Sequence, residues 1–500
     1  MADILIIGAG VAGLSAGIFA AKDGHRVTIC EKHSIAGGNL TGWQRGDYHI
    51  DNCIHWLTGT NPSSEFYDIW VETGALGNVN VYQPETLYTC LYEDKELSLP
   101  KDLDTLERDM LALSPEDAAE TKALIKAIKT MQYFMRIGGK DFSEKIGVFN
   151  LIKNGPQVLK YHMMTTGQLA ERFRHPLIKK FIVAVFGDKF TAMALLNVFA
   201  TFCGKNGGLP EGGSLAMAKR MAKRFTDLGG EFMFKKEVVK INTEGNYAKS
   251  VTFADGTTVA ADYMVIAADP AAIFGKAIDA PMPKILEKQY NSPDYIRFSA
   301  HHSAFAVKEE KLPFSADVVL DIPEKYRDLM RARSFMLREF SHEPSFAPAG
   351  ENVFHTMTFI GEKASVDFIN LSKDRTAYLE KKKQLAAATQ DIIESDFPQL
   401  KGKLKLLDVW TPATYRRYTN AETGSFMSFI LPPKKLPKIV PTIVKGFKNL
   451  LLATQWQQAP GGLPTTAASG RKAAEVIMKL EKKLGNVLAA GKVKKLSPVK

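Results

Sequence analysis

Three glycines near the N terminus have the spacing of a dinucleotide-binding turn. Gly8, Gly10 and Gly13 follow the apolar run 4–7, and the next apolar run ends at Glu31. In such a turn the first glycine allows a tight bend, the second admits a pyrophosphate close to the backbone, and the third lets the helix pack on the strand. The helix N terminus offers free N–H groups to the phosphates, and the acidic side chain accepts hydrogen bonds from the ribose. The pattern therefore predicts a bound adenine dinucleotide.

The elements that would position this turn are those of a Rossmann-type α/β unit: strand, turn, helix and second strand. Glycines interrupt the N-terminal apolar stretch and no basic segment precedes it, which favours this unit over a signal peptide. The chain has 500 residues, of which 45% are hydrophobic and 24% are charged. This composition is ordinary for a globular protein, and the length allows two or more domains.

Three further segments combine glycines with apolar strands. The glycine pair 37–38 follows the first unit, and the cluster 207–214 precedes a helical pattern and strands that end at 263–270. In the segment 449–474, an apolar strand leads to the glycine–proline loop 459–464 and a helix of small residues. Glycines let a flat aromatic ring approach the backbone, and the following helix directs its N-terminal dipole at that ring.

These segments, together with the Thr-Pro-x-Thr-x-x-Arg-Tyr stretch 411–418, resemble the motifs of the phytoene desaturase-like FAD-dependent oxidoreductases. That family includes carotenoid desaturases and retinol saturase and belongs to the amine oxidase superfamily. The resemblance implies that FAD is the cofactor. The cofactor contacts that it implies are Gly8, Gly10, Val11, Ala12, Gly13, Glu31, Lys32, Gly38, Asn39, Val238, Ala268, Gln455, Gly462, Leu463 and Pro464.

The sequence departs from the family pattern at three places. Asn39 stands where an arginine usually follows the two glycines, and Ala453-Thr454 replaces a glycine and an acidic residue. Cys53 replaces the glycine of an Asp-x-Gly pattern.

The resemblance also implies a discontinuous architecture of α/β class. A Rossmann-type FAD-binding domain would be built from 1–75, 205–280 and 405–480. A mixed α+β substrate domain with a helical cap would comprise 76–204 and 281–404. Within the latter, we expect three amphipathic helices rich in Met and Phe to line an apolar tunnel: 124–137, 149–164 and 177–186.

Catalytic candidates were sought near the positions where the family's chain passes the flavin. His55 is a candidate proton donor because histidine titrates near neutral pH. Tyr418 is a second candidate donor, and Arg417 could stabilise reduced flavin or a substrate carboxylate. The doublet His301-His302 lies on a predicted strand, so at most one of its side chains should face the cavity. No acidic or cysteine partner has ligand spacing, so no metal site is predicted.

The resemblance implies an enzyme that desaturates or saturates a C–C bond of an apolar isoprenoid, carotenoid-like or acyl-lipid substrate by hydride transfer to or from flavin N5. Three alternatives stay open: a flavin-dependent isomerase of lipid double bonds, an amine oxidase, and a non-catalytic escort protein for prenylated lipids. No second G-x-G-x-x-G follows a strand, so a dedicated nicotinamide domain is not expected. Electrons would be exchanged with a quinone, oxygen or a soluble carrier.

The positive charge of the chain is concentrated near its C terminus. The net charge is +11, and 423–500 carries 13 lysines and one arginine against two glutamates. Within it, 429–448 alternates apolar residues with lysines and prolines, which predicts peripheral contact with an anionic membrane. Residues 481–500 are expected to form a solvated basic tail. No nucleic-acid motif accompanies the charge, so nucleic acid is not an expected partner. The four cysteines are far apart, and the sequence has no apolar run long enough to span a membrane. We therefore expect the protein in the cytoplasm, with or without association with a membrane surface.

Overall fold

The computed structural model describes residues 1–137, 155–156, 159–309, 311–436 and 438–489. A five-stranded parallel sheet forms its first layer. In spatial order its strands are β10 (Glu231–Phe234), β2 (Arg26–Glu31), β1 (Asp3–Ile7), β14 (Tyr263–Ile266) and β20 (Leu450–Leu452). The central strands are almost entirely apolar because helices cover both faces of a parallel sheet.

Three long helices flank this sheet and complete the Rossmann-type unit: α1 (Val11–Lys22), α8 (Gly213–Asp227) and α15 (Leu463–Ala489). Helices α1 and α15 pack closely because Gly470 has no side chain, and a Cβ there would lie 2.3 Å from the carbonyl oxygen of Ala12. The hydroxyl of Ser15 donates a hydrogen bond of 2.7 Å to the carbonyl oxygen of Ala467. This contact joins the two ends of the chain and fixes the C-terminal helix on the nucleotide-binding unit.

A seven-stranded mixed sheet forms the core of the second part. Its spatial order is β19 (Lys405–Trp410), β15 (Phe298–Val307), β18 (Asn352–Gly361), β17 (Ser334–Glu339), β16 (Asp317–Asp321), β7 (Thr86–Tyr92) and β8 (Lys95–Pro100). All neighbours are antiparallel except β16 and β7, which are parallel. Every residue of β15 is buried, because helices and loops cover both faces of this strand. Strand β19 belongs to this sheet, whereas the sequence places its residues in the predicted cofactor-binding segment 405–480. The other predicted domain boundaries stay predictions.

The remaining strands of the described residues form three small sheets. They contain β11 (Val238–Glu244), β12 (Tyr247–Phe253) and β13 (Thr258–Ala260); β3 (Gly42–Arg45) and β4 (Tyr48–Asp51); and β5 (Leu57–Thr58), β9 (Gly207–Pro210) and β6 (Val81–Tyr82). The Rossmann-type sheet and the mixed second part confirm the predicted fold class.

The remaining helices are distributed over both parts of the molecule. They are α2 (Glu65–Glu72), α3 (Leu103–Leu113), α4 (Ala118–Ile137), α5 (Thr166–Ala170), α6 (Pro176–Val183), α7 (Ala192–Cys203), α9 (Pro270–Ile273), α10 (Lys284–Tyr290), α11 (Glu324–Met330), α12 (Glu362–Leu371), α13 (Arg375–Asp396) and α14 (Pro412–Thr419). The predicted helix 124–137 lies within α4, and 177–186 begins within α6. Half of 149–164, and residues 490–500 of the predicted tail, lie outside the described residues.

Within the described ranges, every helix is too short or too polar to cross a bilayer. The same residues contain no cluster of three or more His, Cys, Asp or Glu side chains that could hold a metal ion. All four cysteines are free thiols.

Candidate active site

A single cavity of about 680 Å³ lies between the parallel sheet and the second part of the molecule. Its walls include Ile7 at the carboxyl end of β1, Glu31 at the end of β2, and Ala267 directly after β14. This is the edge where open parallel sheets bind nucleotides. The cavity then continues between α4 and α7, so it joins a nucleotide-binding edge to the second part.

The glycine turn has the backbone geometry that a dinucleotide requires. Gly8 has a φ of +106°, a conformation that favours glycine, and a Cβ there would lie 2.9 Å from the carbonyl oxygen of Ala267. A Cβ on Gly13 would lie 1.9 Å from the carbonyl oxygen of Gly8, so only glycine allows the helix to pack here. A Cβ on Gly10 would meet nothing within 4 Å, because this residue borders the cavity. The space that Gly10 leaves open fits a pyrophosphate at the N terminus of α1.

Glu31 is held by the backbone beside this turn. Its carboxylate accepts a hydrogen bond of 2.9 Å from the N–H of Ala9 and one of 2.8 Å from the N–H of His33. A carboxylate has about four acceptor positions, so capacity remains for the hydroxyls of a ribose. Next to it, the ammonium of Lys32 donates to the carbonyl oxygen of Arg417 at 2.8 Å and to the side chain of Asn420. Lys32 therefore ties this end of the cavity to α14.

The glycine pair 37–38 packs directly on the first glycine turn. The N–H of Gly37 donates to the carbonyl oxygen of Ala9 at 2.8 Å, and a Cβ on Gly38 would lie 3.1 Å from the Cα of Gly10. Asn39 contacts the carbonyl oxygen of Phe426 through its amide, at 3.5 Å. The two glycine segments thus form one cradle, and Asn39 connects it to the C-terminal half of the chain.

The C-terminal loop supplies a second open stretch of backbone. Gly461 and Gly462 have φ values of +80° and +92°, and both line the cavity immediately before α15 begins at Leu463. Thr454, which replaces the acidic residue of the family, caps a short helical turn by accepting a hydrogen bond of 3.4 Å from the N–H of Trp456. This departure therefore has a local structural use. A flat ring can approach the backbone at Gly462, where a Cβ would lie 3.9 Å from its nearest neighbour, in the side chain of Met427, whereas a Cβ on Gly461 would lie 2.9 Å from the side chain of Ser428.

Almost all the predicted cofactor-binding residues lie around this one cavity. Those that line it are Gly8, Gly10, Val11, Ala12, Glu31, Lys32, Gly38, Asn39, Val238, Ala268, Gln455, Gly462, Leu463 and Pro464. Gly13 lies behind the wall, where it contacts Gly8. These contacts with a cofactor stay predictions, but the cradle of glycines, the N terminus of α1 and the held carboxylate fit FAD.

The opposite arm of the cavity is mainly apolar. Its wall is formed by aromatic and methionine side chains from the second part and the C-terminal loop: Trp56, Phe66, Met135, Phe186, Phe190, Met193, Val198, Met427 and Leu431. Met135 comes from α4, within the expected lining helix 124–137, whereas Met193 comes from α7, which is not one of the three expected lining helices. Such a wall suits an apolar molecule, and it offers few hydrogen-bonding groups that could distinguish one apolar ligand from another.

His55 lies half-buried at the cavity wall, where a catalytic residue was predicted. Burial, with Arg338 as the next largest influence, lowers the pKa of His55 well below its usual value. The imidazole is therefore neutral at physiological pH and is a poor proton donor there. Beside it, burial raises the pKa of the Cys53 thiol to about 12, so this cysteine is not a thiolate nucleophile.

The other two predicted catalytic residues lie away from the apolar arm. Tyr418 is 44% exposed, and its ring lies 4.9 Å from that of His33 beside the nucleotide end. The Arg417 guanidinium lies 5.6 Å from the Tyr418 ring centre, is exposed, and does not line the cavity. Tyr418 lines the cavity at its nucleotide end, and the catalytic roles of both residues stay predictions.

Sequence reasoning missed Tyr415, which lies one turn earlier in α14 and is buried at the cavity wall. Its hydroxyl contacts His302, Asn52 and Trp410, which come from three other elements. Tyr415 occupies an unspecified position of the Thr-Pro-x-Thr-x-x-Arg-Tyr pattern, so the motif drew attention to Tyr418 instead. Both histidines of the 301–302 doublet are buried, and neither lines the cavity.

Comparison with known proteins agrees with this geometry. The model of the family of flavin-containing amine oxidoreductases matches residues 11–478. The chain is similar to a chloroplastic prolycopene isomerase of Daucus carota, with 25% identity over 85% of this chain and 71% of that protein. It is also similar to a lycopene-forming phytoene desaturase of Paracoccus sp. (strain N81106 / MBIC 01143), with 21% identity over 95% of this chain and 97% of the other.

Solved structures share the fold. The cyclohexylamine oxidase of Brevibacterium oxydans superimposes with a TM-score of 0.59 and 16% identity, covering 96% of this chain and 99% of the other.

Proposed function

The chain belongs to the family of flavin-containing amine oxidoreductases and is an FAD-dependent oxidoreductase, and from this premise we propose that it adds or removes a C–C double bond in an apolar lipid. The substrate class is an isoprenoid, carotenoid-like or long-chain acyl molecule. The observation that carries the proposal is the continuity of one cavity, which joins a glycine cradle for FAD to a long apolar arm.

When bound, FAD supplies the chemistry of hydride transfer. The residues of this chain do the binding and positioning. The glycine turn and the N terminus of α1 would hold the pyrophosphate, Glu31 the ribose, and Gly461-Gly462 the flat ring. The methionine and aromatic side chains of the apolar arm exclude water and align an extended hydrocarbon with the ring.

The relatives support an apolar polyene as the substrate. Their names describe an isomerase of prolycopene and a desaturase of phytoene, both of which act on carotenoids. The cavity supports this class because apolar side chains predominate in its second arm, where Asn197, Thr201 and Glu65 are among the polar lining residues.

A redox-neutral isomerisation of lipid double bonds is the second candidate. The observation that favours it is the similarity to prolycopene isomerases over 85% of this chain. An isomerase would turn over without a net electron acceptor, whereas desaturation would need a quinone, oxygen or a soluble carrier. The acceptor requirement therefore separates the two candidates.

Peripheral contact with a membrane would give such a substrate a route to the site. Leu436 is 75% exposed and Ile439 is 68% exposed, next to the exposed side chains of Lys434, Lys435 and Lys438. The same loop contributes Leu431 to the cavity wall. Apolar tips flanked by lysines favour insertion between anionic headgroups. We propose that 429–448 docks on an anionic membrane beside the mouth of the apolar arm.

The experiment that tests the function is an anaerobic single-turnover panel. The oxidised and the dithionite-reduced holoprotein are each mixed with phytoene, lycopene, all-trans-retinol and oleic acid, and with benzylamine and putrescine as amine probes. A lipid product that differs by two hydrogens, formed with a matching change in flavin colour, supports the proposal. A lipid isomer of unchanged mass supports the second candidate instead, and reduction of the flavin by amines alone contradicts both.

A cofactor-free control separates chemistry from lipid binding. The Gly10→Asp protein is expected to fold without FAD, since position 10 has space for a side chain in the folded state. A non-catalytic escort would bind the lipid equally in both proteins and convert it in neither.

A further inference from the structure

Tyr415 is the centre of a buried polar cluster at the wall of the cavity. Its hydroxyl lies 2.9 Å from Nε2 of His302, 3.0 Å from Oδ1 of Asn52 and 3.3 Å from Nε1 of Trp410. Tyr415 and Asn52 both line the cavity, so the bond between them lies at its surface. His302 and Trp410 lie behind Tyr415 and are 0% and 2% exposed.

The protons of this cluster have one arrangement that satisfies its donors. Nδ1 of His302 is buried and makes no hydrogen bond of normal length and angle to the described residues, although the backbone of Thr356 lies near this ring. A buried N–H without a partner is rarer and costlier than an unused lone pair, so the proton belongs on Nε2. The indole ring of Trp410 stacks on the His302 ring at 4.4 Å and keeps it in place.

His302 Nε2–H and Trp410 Nε1–H then both donate to the oxygen of Tyr415. The hydroxyl proton of Tyr415 is left to donate towards Asn52, at the cavity surface. Two fixed N–H donors at a phenol oxygen resemble the arrangement that stabilises a developing oxyanion, because they are already oriented before the charge forms.

We propose that Tyr415 is the catalytic acid that delivers a proton to a carbon of the substrate's double bond. The inference rests on the proposed C–C chemistry. In saturation, bound FAD would supply a hydride to one carbon of the double bond, and Tyr415 would supply its proton to the other. The O–H bond of Tyr415 breaks, a C–H bond forms, and the phenolate is later reprotonated by solvent. In isomerisation, the phenolate takes a proton back from the lipid and no net oxidation occurs.

The surroundings favour donation over abstraction. Burial raises the pKa of Tyr415 above its usual value, so the group is protonated at physiological pH and can act as an acid. His55, another titratable side chain at the cavity wall, is neutral there, and the buried Cys53 thiol has a raised pKa. Tyr415 is thus a buried O–H donor at the cavity wall, and its oxygen is hydrogen-bonded by the N–H groups of His302 and Trp410.

The test compares Tyr415→Phe with the wild-type holoprotein. Reduced protein is mixed anaerobically with lycopene or all-trans-retinol, and reoxidation of the flavin is followed by absorbance. We expect the variant to hold FAD, to be reduced by dithionite and to bind the lipid with a Kd within about threefold of wild type. The rate of proton-coupled reoxidation should fall by about 100-fold or more, in the range that general acid catalysis contributes.

Tyr88→Phe is the matched control, since it also removes a buried hydroxyl, which donates to the carbonyl oxygen of Phe181 away from the cavity. Trp410→Phe is the second variant. It keeps Tyr415 and removes one N–H donor, and should slow the same step by about 100-fold.

The outcomes distinguish a failure of the role of Tyr415 from a failure of the proposed function. If the lipid reoxidises the wild-type flavin, and both Tyr415→Phe and Trp410→Phe are reoxidised at the wild-type rate, the role of Tyr415 is overturned and the proposed function stays intact. A wild-type protein whose flavin no unsaturated lipid reduces or reoxidises, and which isomerises none of these lipids, overturns the proposed function, and the role of Tyr415 with it.

Discussion

The carboxylate of Glu31 accepts a hydrogen bond of 2.9 Å from the backbone N–H of Ala9, which lies inside the glycine turn. The acidic end of the nucleotide-binding pattern is therefore tied to its glycine end before any ligand binds. The position of the carboxylate is fixed by two N–H donors, from Ala9 and His33, and does not depend on the conformation of a free side chain. This preorganisation lowers the entropy cost of holding a ribose.

Replacement of Glu31 by glutamine should weaken FAD binding by about tenfold or more. The amide has one oxygen, so one of the two N–H donors would face an NH₂ group and lose its acceptor. Fluorescence titration of the apoprotein with FAD measures the change in Kd. Glu244→Gln, which alters an exposed glutamate on β11, is the control and should leave the Kd unchanged. Equal affinities of the Glu31→Gln and wild-type proteins would contradict the assignment.

Two neighbouring glycines should fail in different ways when they are replaced. Gly10→Asp should leave the melting temperature of the apoprotein nearly unchanged and abolish FAD binding, because the new side chain occupies open cavity space and carries the charge of the phosphates. Gly13→Ala should destabilise the fold by about 1–3 kcal/mol, because its methyl group would overlap the carbonyl oxygen of Gly8. Thermal melting and flavin content of both apoproteins check this pair. Full flavin content in Gly10→Asp would show that the pyrophosphate binds elsewhere.

The buried ion pair between Arg338 and Asp317 should respond strongly to loss of one partner. Nε of Arg338 lies 3.0 Å from Asp317, and Nη1 donates at 2.9 Å to the carbonyl oxygen of Ile54, next to His55. Arg338→Met should reduce the free energy of unfolding by about 3–5 kcal/mol, since it leaves a buried carboxylate unpaired. The double variant Arg338→Met/Asp317→Leu should recover much of this loss. Denaturant titration measures both, and a double variant no better than the single one would contradict this explanation.

Stability should fall as the pH drops from 7 to 5. Burial lowers the pKa of His301 to about 4 and that of His355 to about 3, and it lowers that of His302 well below its usual value. In the unfolded chain each pKa is about 6.5, so below that pH the unfolded state binds more protons and is favoured. Each histidine then costs about 2 kcal/mol at pH 5.

The carboxyl of Asp317 acts in the opposite direction over the same interval. Burial raises its pKa to about 6, so the folded state takes up its proton first and gains about 1 kcal/mol at pH 5. The net result is a loss of stability, which denaturant midpoints at pH 7 and pH 5 measure. A midpoint that rises on acidification would contradict the neutral state of the three histidines.

The membrane-docking loop should lose its lipid affinity when its apolar tips are charged. Leu436→Asp/Ile439→Asp should reduce co-sedimentation with phosphatidylserine-containing vesicles by about tenfold or more, because carboxylates replace exposed apolar side chains near anionic headgroups. Leu379→Asp, on the exposed side of α13, is the control. Binding of wild type should weaken at high salt. If the double variant sediments like wild type, 429–448 is not the docking segment.

The sequence was sufficient to predict the nucleotide-binding half because its signals are local. Gly8, Gly10, Gly13 and Glu31 are all placed by one strand–turn–helix–strand unit, and the glycine pairs follow apolar strands directly. The strand order of the seven-stranded sheet was harder to predict from the sequence. Its strands β7 and β16 pair across more than two hundred residues, and no local pattern encodes such a pairing.

The polar wall of the cavity depended on the same long-range pairing. Tyr418 is the tyrosine that the sequence motif specifies. Tyr415 belongs to the buried polar cluster because β15 places His302 beside Trp410 of β19. The clustering of Tyr415 with Asn52 and His302 joins residues from three distant parts of the chain, and it becomes visible only when the fold is known.

The most direct test of the central claim is the visible absorbance spectrum of the purified protein, before and after anaerobic dithionite, with the released cofactor identified. The account predicts oxidised flavin bands that bleach on reduction, and FAD as the released molecule. A colourless protein that also takes up no added FAD would contradict the claim that the glycine cradle and the C-terminal loop form a flavin site.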